Sequence, residues 1–132
     1  MSKPKKVEQY VANWRDEING AALYRAISEA ESNPHLKEVY QRLADAEEKH
    51  SCFWEAKLRA AKHPIPPASL TWRTRMLIFL VRRFGPQFVL PNIVPLEQAD
   101  SHKYDNQPEA RAGGLSTQEQ SHARLLRAIT GS

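Results

Sequence analysis

Leu43-Ala44-Asp45-Ala46-Glu47-Glu48-Lys49-His50 sets a carboxylate and an imidazole three residues apart within a helical pattern. Residues at i and i+3 share a helix face. The apolar stripe around them is Leu36, Val39, Leu43, Ala46, Phe53, Trp54 and Leu58. Glu47 and His50 fall in line with Leu43 and Trp54, so the pair is expected to face the core. A carboxylate buried without compensation is costly, and something must offset it. The competing assignment, one position out, makes Glu47 a surface residue and turns Glu48 inward, but Glu48 has the wrong spacing to share a face with His50.

Upstream, Val7, Val11, Trp14, Ile18, Ala21 and Ile27 recur at helical spacing from Lys5 to Ser32. Glu17 lies on the stripe of Trp14, Ala21 and Tyr24. Asn33-Pro34 reads as an N-cap followed by proline at the first helical position. A second helix then runs to about Lys62, and so short a turn makes the two helices antiparallel neighbours. Glu17 lies 16 residues before Asn33 and Glu47 lies 14 after it. At ~1.5 Å per residue both sit roughly 21–24 Å from the turn. Glu17, Glu47 and His50 are therefore expected at one level.

The second half repeats the pattern. Glu17 with Tyr24 seven residues on, then Glu47 and His50, is matched by Glu97 with Tyr104, then Glu119 and His122. One Glu-x-x-His is common on solvated helices; two copies, each after Glu-x6-Tyr, carry the weight. Four carboxylates and two imidazoles form the ligand set of two-metal helical bundles. Such hard oxygen and imidazole donors suit two iron ions, with manganese as the alternative. The expected fold is all-α, a ferritin-like four-helix bundle formed by residues 1–132 as one domain. Its parts are a hairpin over 5–62, a crossover over 63–85 and a second hairpin over 86–130. Ser69 is the expected cap of the crossover helix, Leu70 to Phe84, which Gly85 and Pro86 stop. Pro86, Pro91 and Pro95 suggest an irregular stretch before a helix from Asn92 to Tyr104. Asn106, Pro108, Gly113 and Gly114 mark a loop. Ser116-Thr117-Gln118-Glu119 looks like a capping box opening the last helix.

The halves are not equal. Glu17 to Glu47 spans 30 residues but Glu97 to Glu119 only 22. Three solutions stay open: an extended return from Asn106 to Leu115, Glu109 in place of Glu97, or completion of the site across a homodimer.

The bulk numbers fit one soluble or peripheral domain: 41% hydrophobic, 26% charged, net charge +4, pI about 9.4. The lone Cys52 excludes an internal disulfide and reads as a buried small residue. The basic start, Met1-Ser2-Lys3-Pro4-Lys5-Lys6, has no apolar run after it, unlike a signal peptide. Arginines and Gly85-Pro86 break the apolar stretch Met76–Leu96, so no spanning helix is expected. Trp14, Phe53 and Trp54 read as plain core; His35, His63 and His102 read as exposed. Arg73, Arg75, Arg82 and Arg83 suit a solvated crossover, or contact with an anionic lipid surface or an attached membrane domain. Without an aromatic-interleaved basic patch, nucleic acid is disfavoured.

The chain resembles the rubrerythrin-type ferritin-like domain found at the N-terminus of membrane proteins of the vacuolar iron transporter family. The segments that carry the resemblance are Trp14-Arg15-Asp16-Glu17 through Tyr24, Leu43 through His50, Phe84-Gly85 through Tyr104, and Gln118 through His122. It covers nearly the whole chain. It implies a cytoplasmic, membrane-tethered domain that binds or oxidises iron or manganese, with a transporter domain beyond this chain. It also implies metal ligation by Glu17, Glu47, His50, Glu97, Glu119 and His122, with Tyr24 and Tyr104 beside the metals. Ferroxidase or peroxidase activity and a sensor or delivery role are both compatible with it.

Overall fold

Asn33 organises the first turn of the chain. In the computed structural model its backbone is extended, and its side-chain oxygen accepts the N–H groups of His35 and Leu36 at 2.9 and 3.2 Å. Pro34 follows at the first helical position, where its missing N–H costs nothing. The described residues are 3–91 together with 107, 109, 114, 115, 118, 120, 124, 125 and 128. They contain helix and no strand, as the all-α expectation requires. The chain divides into two compact units, Met1–Gly85 and Pro86–Ser132.

In the first unit, α1 (Lys3–Ala30) and α2 (Pro34–Ala60) form the expected antiparallel hairpin. Contacts descend α1 as they climb α2. Ser28 Oγ donates to the Lys37 carbonyl at 2.9 Å, Arg25 pairs with Asp45 and Glu48, and Tyr10 stacks on Trp54 at 5.5 Å. α1 has no basic residue in its own last turn. Lys37 of α2 fills that role, its ammonium donating to the Ser28 carbonyl at 3.1 Å, where the helix dipole favours a cation. Trp14, Tyr24 and Ile27 from α1 and Tyr40, Leu43, Trp54 and Leu58 from α2 are buried; Phe53, expected in the core, is half-buried and packs edge-on to Trp54.

α2 ends two residues earlier than the sequence suggests. Lys62 N–H bonds to the Arg59 carbonyl and His63 N–H to the Leu58 carbonyl, with Lys62 at φ 59°. This is a Schellman stop, made without the glycine that normally announces one. An extended, proline-rich segment leads to α3 (Trp72–Phe84), which packs on α1. Its cap is Thr71, not Ser69: Thr71 Oγ1 accepts the Thr74 N–H at 3.2 Å. Asn19 of α1 selects that residue by accepting the Thr71 N–H at 2.9 Å. Gly85, at φ 96°, ends α3 as expected.

In the second unit, residues 86–91 are helical, not irregular; Pro86 opens the turn where no amide donor is needed. Glu109, within the expected loop, is helical too. Leu115 is helical ahead of the expected start at Ser116, and the Gly114 carbonyl accepts the Gln118 N–H at 3.2 Å. The helix expected over Asn92–Tyr104 lies outside the described residues. No described helix is long and apolar enough to cross a membrane.

Two tests address this hairpin. Asn33→Ala removes both cap bonds and is expected to cost about 1 kcal/mol, a melting shift of roughly 4 °C. Tyr40 is fully buried, and its hydroxyl has no hydrogen-bond partner among the described residues. Burial first, and the Glu31 charge second, push its phenol from 10.0 to about 12. The unfolded chain thus releases this proton first, and the contribution to stability, intact below pH 10, is lost as pH rises through 12. Tyr40→Phe should be neutral or stabilising at pH 7 and should flatten the alkaline limb of stability by about 2–3 kcal/mol, read by denaturant titration across pH.

Candidate metal centre

Two helical rows face each other across the hairpin. Trp14, Glu17, Ala21 and Tyr24 descend one side of α1; Leu43, Glu47, His50 and Trp54 climb the facing side of α2, and every one of them is buried. The polar members meet at the same level. Glu17 is 0% exposed, Glu47 4% and His50 2%. His50 Nδ1 lies 3.5 Å from Glu17 Oε2. One ligand atom from each of the three residues lies within 4.8 Å of the others, close enough to share one ion.

The register settles the choice between neighbouring glutamates. Glu48 is exposed and pairs with Arg25 at 2.8 Å, and Asp45 joins the same guanidinium at 3.2 Å. Glu47 is the one turned inward. Arg25 holds the outer carboxylates in place, at the modest strength of exposed pairs.

Gly20 is the residue that sequence reasoning missed. It faces Glu47 from α1, and a Cβ there would lie 3.0 Å from Glu47 Oε2 and 3.6 Å from its carboxyl carbon. The absent side chain lets the Glu47 carboxylate lie against the α1 backbone. A glycine within a long helix costs roughly 0.5–1 kcal/mol relative to alanine. That cost was the available signal, since Gly20 lies three residues from Glu17 on the face of the ligands.

Chemically, this is a dry, three-donor site of two carboxylate groups and one imidazole. Two ionised carboxylates so close repel strongly in a low-dielectric setting, and a divalent cation between them offsets that repulsion. The donor set suits iron or manganese and accepts zinc. Tyr24 is buried two turns along α1 from Glu17. Cys52, expected inside, is exposed: it follows His50 by two residues, which carries it off the buried face. His35 is exposed, whereas His63 is partly covered and bonds the Pro64 carbonyl at 2.7 Å. Glu97, Tyr104, Glu119, His122 and His102 lie outside the described residues; Glu109 is half-buried.

Set against protein-family models, curated proteins and solved structures, the chain matches none.

Gly20→Ala separates site geometry from helix propensity. Alanine should favour α1, yet its Cβ would press on the Glu47 carboxylate. Metal affinity is expected to fall by about tenfold or more, while the melting temperature of the metal-free protein changes little. Metal titration and thermal unfolding of the same sample check both.

Proposed function

We propose that this protein is a two-metal carboxylate protein with a ferritin-like four-helix bundle, which binds Fe²⁺ and oxidises it in iron or manganese handling. The observation that supports this reading most is the meeting of Glu17, Glu47 and His50 within 4.8 Å, all buried, on facing helices. Surface acids gather without a metal often enough. Two buried glutamates on a histidine are far harder to maintain by chance, because each must offset its lost hydration.

In this reading Glu17, Glu47 and His50 supply the first half of the site, and Glu97, Glu119 and His122 the second. Glu47 lies against Gly20 of α1, where its carboxylate would help hold the ions, and His50 would supply an imidazole donor. Iron, as the substrate, gives up an electron to dioxygen or peroxide. The chain's own contribution is to strip water from the ion and hold anionic oxygens against it, which stabilises the higher charge. The repeated Glu-x6-Tyr and Glu-x-x-His segments support a tie to transporter-linked rubrerythrin-type domains, and with it a cytoplasmic site tethered to a membrane domain. An extended return from Asn106 to Leu115, Glu109 in place of Glu97, and completion across a homodimer are the three routes to a complete second half.

The test is anaerobic Fe²⁺ titration of the intact chain beside a Glu47→Ala/His50→Ala variant. Two iron ions per chain are expected, lost in the variant, with oxidation on admitting air. Saturating metal at about 100 times Kd should add roughly 2.7 kcal/mol to stability. Binding without oxidation would leave a sensor or delivery module; a single iron per chain would point to a site completed between subunits. No binding by the intact chain would overturn the metal reading.

A further inference from the structure

α3 carries two apolar stripes where an ordinary packed helix needs one. Thr74, Ile78 and Val81 are buried. Trp72, Met76 and Phe79 repeat the same i, i+4, i+7 spacing on the opposite side and are 74%, 44% and 63% exposed. Large apolar groups gathered in one stripe on a surface mark a docking face rather than ordinary exposure.

The charge beside that stripe is of one sign. Arg73, Arg75, Arg82 and Arg83 are all exposed, and no aspartate or glutamate occurs between Glu55 and Glu97. The aromatics and arginines alternate along α3, contrary to the expectation that no such interleaving occurs. The Arg83 guanidinium covers the Phe84 ring at 5.2 Å. A second copy of this helix would bring eight guanidinium groups together with no carboxylate among them. A surface that is anionic at its edge and apolar just beneath fits both features.

We propose that α3 docks this protein on an anionic phospholipid surface, lying in the headgroup plane. Trp72, Met76 and Phe79 enter the acyl boundary, and the flanking arginines meet the phosphates and carboxylates of the headgroups. Its 13 residues span about 20 Å, short of the roughly 30 Å hydrocarbon core. The helix therefore lies on the bilayer and does not cross it. A single-stranded nucleic acid could also stack on the aromatics, but the stripe stands out from a convex helix and Met76 offers no stacking plane. The acyl boundary accommodates all three side chains.

Trp72 gives a direct reading, because Trp14 and Trp54 are buried. The full chain is mixed at low salt with vesicles of phosphatidylcholine alone, and with vesicles of phosphatidylcholine and phosphatidylserine in equal parts. Sedimentation and tryptophan emission are recorded. The expected result is co-sedimentation with the mixed vesicles only, a blue shift of the emission, and release in molar salt. Arg75→Gln/Arg82→Gln should weaken binding by about fivefold per arginine. Met76→Ser/Phe79→Ser, which keeps the Trp72 reporter, should shrink the blue shift and weaken binding by roughly tenfold or more. All four positions are exposed, and unchanged helical circular dichroism verifies that the variants fold. Four results overturn the proposal: no binding, equal binding to both vesicles, binding unaffected by the variants, and a face occupied instead by a second copy or an oligonucleotide. Analytical ultracentrifugation and oligonucleotide competition identify the last.

Discussion

Two carboxylates and an imidazole share one dry level between α1 and α2, and that arrangement tolerates no slip. A shift of one residue along α2 turns its side chains by about 100° and replaces Glu47 with a neighbour that belongs in water. The features around the hairpin defend this register. The Asn33 cap fixes where α2 begins, Lys37 ties its first turn to the end of α1, and Arg25 grips Asp45 and Glu48 from outside. Tyr10 on Trp54 closes the far end. Gly20 then leaves room for the Glu47 carboxylate against α1 at the site itself.

The hairpin and its polar level were legible in the sequence because both rest on local rules. Helical periodicity, the Asn33-Pro34 cap and equal distance from the turn are enough to bring Glu17, Glu47 and His50 together. What escaped depends on partners far along the chain or on conformations with no residue signature. Thr71 caps α3 because Asn19, 52 residues away, receives its N–H; Ser69 is an equally good cap by composition. The prolines beyond α2 announce its end, but not that the chain turns on a lysine in the left-handed region. Pro86 looked like a breaker and proves to be a helix opener, since the same missing N–H serves either role. Gly20 was hidden inside a helical stripe that it does not interrupt.

Charge is distributed unevenly between the hairpin and α3. The outer face of the hairpin mixes both signs, and Arg25, Arg42 and Arg59 pair there with Asp45, Glu48, Glu38 and Glu55. α3 carries arginine alone. Exposed ion pairs add little to stability, so the partition reads better as an arrangement for what approaches the protein. A mixed-charge hairpin around the buried Glu17, Glu47 and His50 and a basic, aromatic helix packed on α1 present two different surfaces to two kinds of visitor.

The Schellman stop at Lys62 and the prolines beyond it have a consequence in time. Glu17, Glu47 and His50 all precede that stop, so a growing chain has them in hand before any of the second unit has been made. N-terminal units tend to fold first during synthesis. A nascent hairpin that has already closed over these three side chains would be guarded against premature pairing with whatever emerges next, and the order of translation would become the order of assembly.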